Sequence, residues 1–414
     1  MNEKGIAAAA LSIRSLSMDA IQKAKSGHPG IAMGASELAA LLYGEIMKHN
    51  PANSKWADRD RFVLSAGHGS MLLYSILHLS GYKVSLDDIK NFRQIGSKCA
   101  GHPEYGLTDG VECTTGPLGQ GVSMAVGMAI AETMLAARYN TEKHTIVDHY
   151  TYSLVGEGCL QEGVASEACS LAGHLKLGKL IVFYDENRIS IDGCTDIAFT
   201  DDIQKRYEAY GWQVLKGSMY DVNQIVKLTE EAKACTDKPT LIMLKSIIGK
   251  GAPKQGTPDV HGAPLGDEGI IAAKKNLGLP EDKQFYVVPE AYEYFESKKA
   301  GFAKAEADWN TKFEEWSKEN PELRKEWDAD FAGKATGKAE EPVYKIGDKD
   351  ATRNVNGKML NVMVQRYKSL VGGSADLTGS NKTKLTDADG TYSAENRKGR
   401  YIEYGIREFA MSAV

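Results

Sequence analysis

The sequence has few of the features that mark secreted, membrane or nucleic-acid-binding proteins. Its six cysteines form no Cys-x-x-Cys pair and are spread over 414 residues, so we expect reduced thiols rather than a disulfide framework. The net charge of −5 disfavours nucleic acid as the main partner, because phosphate binding usually needs a basic surface. The longest apolar stretch, residues 122–137, contains Glu132, and no membrane span is predicted. These absences favour a soluble, cytoplasmic protein.

Two common nucleotide-binding motifs are also absent. The dinucleotide fingerprint Gly-x-Gly-x-x-Gly has Met124 or Gln161 where its third glycine should stand. The P-loop motif fails because the pair Gly249-Lys250 is followed by Gly251 rather than by serine or threonine. The sequence therefore disfavours a nicotinamide-dependent dehydrogenase and a P-loop nucleotide hydrolase.

What the sequence does contain is an alternation of short apolar segments and helical segments. Strands are predicted at residues 61–65, 153–155, 180–184, 213–216 and 240–245. This alternation predicts an α/β fold in which a parallel sheet is covered by helices on both faces. A densely charged segment, residues 289–331, carries Trp309, Phe313 and Trp316 at helical spacing and predicts one long amphipathic helix.

The composition also predicts how the chain is divided. Residues 1–332 hold the five predicted strands and the charged segment, and residues 333–350 are rich in glycine, lysine and glutamate, as inter-domain linkers often are. A second α/β unit begins at residues 351–414 and contains two short predicted strands. Because two such strands cannot close a core, we expect this unit to be incomplete at Val414.

A carboxylate and an amide follow two of the predicted strands. Glu157 stands between two glycines after the strand at residues 153–155, and Asn187 follows the strand at residues 180–184. The carboxyl ends of parallel strands meet at one edge of the sheet, where such folds bind ligands. Oxygen ligands next to glycine-rich backbone suit Mg²⁺ that carries a diphosphate. Taken alone, this stretch is equally well explained as a strand–helix–strand unit with polar loops.

Four of the nine histidines lie close to glycine in predicted loops, namely His28, His68, His102 and His261. No two histidines have the His-x-x-x-His spacing of a helical zinc site, which disfavours zinc. Neutral imidazoles at loop ends suit hydrogen bonds to sugar hydroxyls or phosphate. Each histidine alone is equally consistent with a structural role.

Taken together, these loops resemble transketolase, in order and over essentially the whole chain. The matching pieces in the first unit are Ser26-Gly27-His28-Pro29-Gly30, Ser65-Ala66-Gly67-His68-Gly69-Ser70, Gly101-His102-Pro103-Glu104, Thr115-Gly116-Pro117-Leu118-Gly119-Gln120-Gly121, Gly156-Glu157-Gly158-Cys159-Leu160-Gln161-Glu162-Gly163, Asn187 with Ile189-Ser190-Ile191-Asp192-Gly193, and His261-Gly262. Those beyond the linker are Thr352-Arg353, Gly372-Gly373-Ser374-Ala375-Asp376-Leu377 with Ser380, and Gly405-Ile406-Arg407-Glu408.

The resemblance implies a thiamine diphosphate enzyme of the pentose phosphate pathway that moves a two-carbon ketol unit from a ketose phosphate to an aldose phosphate. Cleaving a ketose between C2 and C3 leaves an acyl carbanion, which a thiazolium can delocalise and a protein side chain cannot. The resemblance further implies a cytoplasmic homodimer with its active site at the subunit interface. The implied metal is Mg²⁺, with Ca²⁺ or Mn²⁺ as substitutes, and its ligands are Glu157, Asn187 and the carbonyl of Ile189.

The resemblance also assigns roles to individual residues. The implied cofactor-binding residues are His68, Gly116, Pro117, Leu118, Gly158, Glu162, Asn187, Ile191, Ile248, His261, Asp376 and Glu408. Glu408 would hydrogen-bond the aminopyrimidine ring of a cofactor held mainly by the other subunit. The implied catalytic residues are Glu408, His28, His102 and His261. The implied substrate-binding residues are the same three histidines, with His28 and His102 at the C1 and C2 oxygens, and, for the terminal phosphate, Arg353 and Ser380.

Three positions depart from the family pattern. Glu157 stands where aspartate is usual, Phe409 stands where many members have histidine, and members of the family continue beyond the position of Val414. Two alternatives therefore stay open at this point. One is a related thiamine diphosphate ketol transferase, such as dihydroxyacetone synthase, and the other is a non-catalytic fragment or binding module.

Overall fold

The computed structural model describes residues 1–386 and 388–414. A five-stranded sheet is the centre of the first unit, in the order β1-β2-β3-β5-β4. All four strand pairings are parallel, which confirms the predicted α/β fold. The strands are Arg61–Leu64 (β1), Thr151–Val155 (β2), Leu180–Glu186 (β3), Gln213–Ser218 (β4) and Thr240–Lys245 (β5).

Helices cover both faces of this sheet, because its apolar strands are buried on both sides and need cover. The N-terminal helix, Glu3–Ala24, is central to the helical layer on one side and packs against six other helices. The remaining α-helices of the first unit are Pro29–Gly34, Ser36–Leu41, Ser70–Ser80, Leu86–Lys90, Gln120–Tyr139, Glu157–Gln161, Gly163–His174, Ile203–Ala209, Val222–Ala234, Asp267–Leu277, Pro289–Glu319 and Pro321–Phe331.

The second unit contains a separate pair of parallel strands. Its helices are Thr352–Arg366, Thr378–Asn381 and Glu408–Ala413. Its strands are Gly372–Ser374 (β6) and Tyr401–Glu403 (β7). The last helix docks on the first unit, where the backbone N–H of Ala410 donates to the Glu167 carboxylate at 2.9 Å.

The prediction of one helix over residues 289–331 is wrong. The structure has two helices, Pro289–Glu319 and Pro321–Phe331, which meet at Asn320. Asn320 leaves helical geometry (φ −130°, ψ 61°) because a following proline disfavours the helical conformation and Pro321 has no N–H to continue the ladder. The break folds the second helix back, so that Trp327 joins the predicted aromatic stripe around the buried Trp316.

The helical segment that follows β2 is also interrupted. Helix Glu157–Gln161 is followed by Glu162 in extended geometry (ψ 135°) and then by Gly163–His174. Glu162 packs tightly on the preceding loop, since a Cβ placed on Gly119 would lie 2.7 Å from the Glu162 Cβ. The interruption leaves a single short turn of helix directly after β2.

Helix Gln120–Tyr139 is long and apolar enough to cross a membrane by length and composition, the one such helix in the part of the chain that the structure describes. In the structure it packs against β1, β2 and helix Gly163–His174. Glu132 on this helix is 2% exposed and pairs with Lys179 at 2.7 Å. These contacts are those of a core helix.

A buried ion pair fastens the helix Asp267–Leu277 to the N-terminal helix. The Lys274 ammonium lies 3.0 Å from Asp19, and both side chains are at most 3% exposed. Lys274 also donates to the Lys283 carbonyl at 2.6 Å, and Asp19 accepts from the backbone N–H of Phe285 at 2.6 Å. The pair therefore joins the N-terminal helix, the helix Asp267–Leu277 and residues 283–285.

We predict that Lys274→Met lowers the free energy of unfolding by roughly 3 kcal/mol, because it leaves the Asp19 carboxylate buried without its counter-ion. Urea titration at pH 7, followed by circular dichroism, measures this loss. The control is Lys275→Met, which removes an exposed lysine from the same helix and should change stability by less than about 0.5 kcal/mol. Equal losses in the two variants would contradict the role of the buried pair.

Candidate active site

A cavity of about 370 Å³ lies at the carboxyl edge of the sheet. The ends of β2 and β3 supply its floor, the loop after β1 supplies His68, and the segment after β5 supplies Ile248. This is the edge at which the sequence predicted a ligand site. The lining residues are His28, Ile31, His68, Gly116, Leu118, Gly156, Glu157, Gly158, Cys159, Asp185, Asn187, Ile189, Ser190, Ile191, Asp192, Ile248 and His261.

The four histidines expected at the site lie close together. The ring centroids of His28 and His68 are 5.2 Å apart, and those of His68 and His261 are 5.1 Å apart with nearly parallel rings. His28 is also 6.0 Å from His261 and 6.2 Å from His102. Four separate loops thus deliver one imidazole each to a single cluster, although their positions in the chain differ by up to 233 residues (261 − 28).

Burial keeps these imidazoles neutral. Desolvation and the neighbouring imidazoles lower the pKa of His68 to about 3. Desolvation, Arg93 and the neighbouring imidazoles lower the pKa of His28 to about 4. Desolvation also lowers the pKa values of His102 and His261. At neutral pH each ring can both donate and accept one hydrogen bond.

Two of these rings have a buried nitrogen without a hydrogen-bond partner among the described residues, namely Nδ1 of His28 and Nδ1 of His261. A buried polar atom without a hydrogen-bond partner costs free energy, and most such atoms in proteins have a partner. Because both rings border the cavity, a polar ligand is a natural partner.

Glu157 and Asn187, the predicted metal ligands, both line the cavity. The Glu157 carboxylate accepts hydrogen bonds from the Tyr184 hydroxyl and from the backbone N–H of Arg188, the latter at 2.6 Å. The Asn187 side-chain oxygen accepts from the backbone N–H of Ile189 at 2.9 Å. These bonds lock the ends of β2 and β3 together. Burial raises the pKa of Glu157, which is 6% exposed.

Asp185 lines the same cavity and was missed as a site residue by the sequence reasoning. It is 1% exposed and accepts hydrogen bonds from the Ser246 hydroxyl and, at 2.8 Å, from the Asn187 amide. Burial raises its pKa to about 6. The signal was present in the sequence, because Asp185 is an acid at the end of an otherwise apolar strand. The sequence reasoning also gave no role to Tyr184, Cys159 or Ile31.

Glycine backbone forms much of the cavity wall. A Cβ on Gly158 would lie 2.6 Å from Leu118, and one on Gly116 would lie 3.2 Å from the His102 ring. Gly116 also has φ 153°, which side-chain-bearing residues rarely adopt. The wall therefore offers backbone N–H and C=O groups at close approach, as a diphosphate requires.

The donor set fits Mg²⁺ and a diphosphate. A carboxylate, an amide oxygen and a backbone carbonyl are the hard ligands that Mg²⁺ prefers. No group of three or more His, Cys, Asp or Glu side chains suited to a metal occurs among the described residues, and the set expected here contains only one such side chain, Glu157. The glycine wall and the two unpaired imidazole nitrogens complete the fit.

Several expected site residues do not line this cavity, among them His102, whose ring lies 6.2 Å from that of His28. Pro117 and Glu162 are exposed beside it, and Ile191 lines it while remaining 67% exposed. The residues expected from the second unit are all exposed and outside the lining: Arg353, Asp376, Ser380 and Glu408. The structure therefore brings together most of the site residues predicted in the first unit and leaves those of the second unit apart from them.

We predict that the neutral histidines make stability depend on pH. Because the pKa of His68 falls from 6.5 to about 3 on folding, the unfolded state binds more protons between these values. Stability is then complete above pH 6.5 and decreases as the pH falls, by about 1.4 kcal/mol per unit for this histidine. Urea unfolding at pH 7 and pH 5 should show a smaller decrease for His68→Asn than for the unaltered chain.

The matched control for this measurement is His174→Asn, which removes an exposed histidine. It tests whether the loss of any histidine changes the slope. If His68→Asn retains the full decrease between pH 7 and pH 5, His68 is not held neutral by the fold.

Comparison with known proteins gives the family. A family model described as "Transketolase, thiamine diphosphate binding domain" matches residues 6–336, and one described as "Transketolase, pyrimidine binding domain" matches residues 348–414. The transketolase of Treponema pallidum (strain Nichols) is 59% identical over 420 residues, covering 100% of this chain and 63% of that protein. That of Geobacillus stearothermophilus is 52% identical over 407 residues, covering 97% and 61%.

Solved structures agree with this result. The transketolase from Leishmania mexicana has a TM-score of 0.95 at 44% identity, over 99% of this chain and 61% of that one. A Pichia stipitis transketolase in complex with sedoheptulose-7-phosphate has a TM-score of 0.94 at 43% identity, over 99% and 62%. The chain thus spans 61 to 63% of the length of these four relatives. The resemblance read from the loops is confirmed, the cavity lies in the part that matches a thiamine diphosphate binding domain, and the chain belongs to the transketolase family.

Proposed function

We propose that the protein transfers a two-carbon ketol unit from a ketose phosphate to an aldose phosphate, with thiamine diphosphate and Mg²⁺ as cofactors. The observation that carries this proposal is that three neutral histidines, His28, His68 and His261, line one glycine-walled cavity together with Glu157 and Asn187. Sugar hydroxyls need neutral donors and acceptors, and a metal-bound diphosphate needs oxygen ligands and close backbone. Both sets of groups lie in one cavity.

Glu157, Asn187 and the Ile189 carbonyl would hold Mg²⁺, and through it the diphosphate. His68, Gly116, Leu118, Gly158 and His261 would surround the cofactor, together with the apolar side chains of Ile191 and Ile248. When bound, the cofactor would supply an electron sink for C2 of the ketose as its bond to C3 breaks. Ile248 is 3% exposed and helps to exclude water from this carbon.

His28, His102 and His261 would bind and orient the sugar. The buried, unpaired Nδ1 atoms of His28 and His261 can accept or donate a proton in a hydrogen bond to a hydroxyl. Neutral imidazoles can also take up a hydroxyl proton while the carbon–carbon bond breaks. Protonation below the depressed pKa values would abolish this acceptor role.

Glu408 would act on a cofactor held by a second copy of the chain. It begins the last helix and is exposed, and it stands between Ile406 and Phe409, which are 78% and 73% exposed. Exposed apolar side chains around a carboxylate are typical of a surface that another subunit covers. A homodimer with its active site at the interface therefore accounts for the distance of Glu408 from its own cavity.

The same arrangement suggests the domain roles. We propose that residues 1–332 form the diphosphate-binding domain, that residues 333–350 link it to the next, and that residues 351–414 begin the pyrimidine-binding domain. The two family models divide the chain near this linker. Arg353 and Ser380, both exposed, would bind the terminal phosphate of a sugar in a cytoplasmic enzyme.

Calorimetry of thiamine diphosphate and Mg²⁺ on residues 1–414 tests the cofactor site alone. We expect Glu157→Gln to weaken Mg²⁺-dependent binding by 10-fold or more, as loss of a metal ligand should. The control, Glu230→Gln, removes an exposed carboxylate from the helix Val222–Ala234, to which no site role is assigned, and should leave Mg²⁺ affinity nearly unchanged. Equal affinity in Glu157→Gln and the unaltered chain would exclude Glu157 as a ligand.

In the protein encoded by the complete reading frame, Glu408→Gln should keep Mg²⁺-dependent cofactor binding and lose ketol transfer. The physical reason is that glutamine cannot exchange a proton with the cofactor ring. Transfer from a ketose phosphate to ribose 5-phosphate, with formaldehyde as a second acceptor, measures the loss and separates the two ketol-transferase alternatives. Transfer at the unaltered rate would show that Glu408 has no part in the reaction.

A further inference from the structure

Arg93 lies next to the histidine cluster, and neither the family resemblance nor the cavity lining gave it a role. Its guanidinium donates to the Ser26 hydroxyl at 2.6 Å, two residues before His28. It also packs on Gly101, directly before His102, because a Cβ on Gly101 would lie 3.0 Å from the Arg93 Nε. One side chain thus contacts both the loop that carries His28 and the loop that carries His102.

The backbone of Arg93 is adapted to this placement. Arg93 has φ 60°, in the left-handed region that side-chain-bearing residues seldom adopt. Its N–H donates to the Cys99 carbonyl at 2.9 Å, which closes the loop on itself. Strain of this kind persists only where the surrounding contacts hold it, and it gathers at functional sites.

The charge of Arg93 is unusual in its surroundings. No carboxylate forms an ion pair with it in the two described segments of the chain, and its Nε is buried without a hydrogen-bond partner. Arg93 as a whole is half-buried, and partial desolvation of a cation without a counter-ion costs free energy. Neutral imidazoles with free lone pairs are tolerable neighbours for such a cation, whereas imidazolium rings would repel it.

The His102 loop is also fixed from its other side. The Ser70 hydroxyl donates to the Gly101 carbonyl at 2.9 Å, and the Tyr74 hydroxyl donates to the His102 carbonyl at 3.1 Å. The helix Ser70–Ser80 therefore holds the backbone of this loop. Arg93 connects this His102 loop to the loop of His28.

We propose that Arg93 is a positioning residue that joins the His28 loop to the His102 loop and keeps a positive charge next to both imidazoles. The positive charge of Arg93 disfavours protonation of His28 and of His102, so that both rings stay available as neutral hydrogen-bonding groups. Arg93 is among the charges that lower the pKa of His28 and that of His102, after desolvation in each case.

The other charged groups that face these two rings are few. His28 is faced by His68 from the loop after β1, by His261 from the loop after β5, and by His102. The acid nearest to His102 in the chain is Glu104, which is exposed. Arg93 is therefore the permanent charge among the groups that shift the pKa of His28, and the remaining ones are imidazoles that it helps to keep neutral.

The experiment titrates His28 and His102 by NMR in residues 1–414 labelled with ¹³C at the histidine Cε1. Signals are assigned by their loss in His28→Gln and His102→Gln. We expect Arg93→Met to raise both pKa values by roughly one unit, because it removes the neighbouring positive charge. Arg93→Gln, which keeps a donor for the Ser26 hydroxyl, should raise them as well. Arg93→Lys should keep both close to their unaltered values.

The control is Lys98→Met, which removes a half-exposed charge from the same loop, where Lys98 pairs with Asp88. It should leave both histidines unchanged. Unaltered pKa values in both Arg93→Met and Arg93→Gln, or an equal rise in Lys98→Met, would overturn the proposal. The role of both histidines in sugar binding rests on the proposed function, whereas this titration is made without cofactor or substrate. Its failure is therefore distinguishable from a failure of the proposed function.

Discussion

The parallel pairing of β2 with β3 decides where the other groups of the cavity lie. Its register sets Val155 opposite Tyr184, so that the chain leaving β2 runs beside the end of β3. The Glu157 carboxylate bridges the two strand ends through the Tyr184 hydroxyl and the Arg188 N–H. Because β1 pairs with the other side of β2, the loop of His68 starts at the same edge. A slip of one residue would turn the alternating side chains to opposite faces and separate these groups.

Burial then acts in opposite directions on the bases and the acids of this edge. It lowers the pKa values of the imidazoles and raises those of Glu157 and Asp185, because a poorly solvated site disfavours any charge. The imidazoles of the wall are thus neutral at pH 7, whereas Asp185, with its pKa raised to about 6, is still largely ionised there. A cation at Glu157 would favour its ionised form, so metal binding and the ionisation of this carboxylate support one another.

The local sequence pattern was sufficient to predict the strands, since short apolar runs bounded by glycine form strands in most tertiary contexts. It was insufficient where packing or a single residue decides the geometry. The helix break at Asn320 follows from Pro321. The helical spacing of the aromatic residues before it pointed instead to one continuous helix. The break at Glu162 depends on contact with Gly119, a residue of another loop. Arg93 looks like an ordinary loop cation in the sequence, and only the fold places it between two histidine loops that are distant in the chain.

Glu157 is one methylene longer than the aspartate that is usual in the family. Whether it can serve as a metal ligand depends on the contacts that its carboxylate oxygens make. A carboxylate has about four lone-pair positions, and Tyr184 and Arg188 each take one. Both partners belong to β3 or to the residues directly after it, so they hold the carboxylate against that strand end. The same carboxylate lines the cavity together with Asn187. Since Mg²⁺ demands well-oriented ligands, the proposed role of Glu157 as a ligand would depend on this double anchoring rather than on the side-chain length.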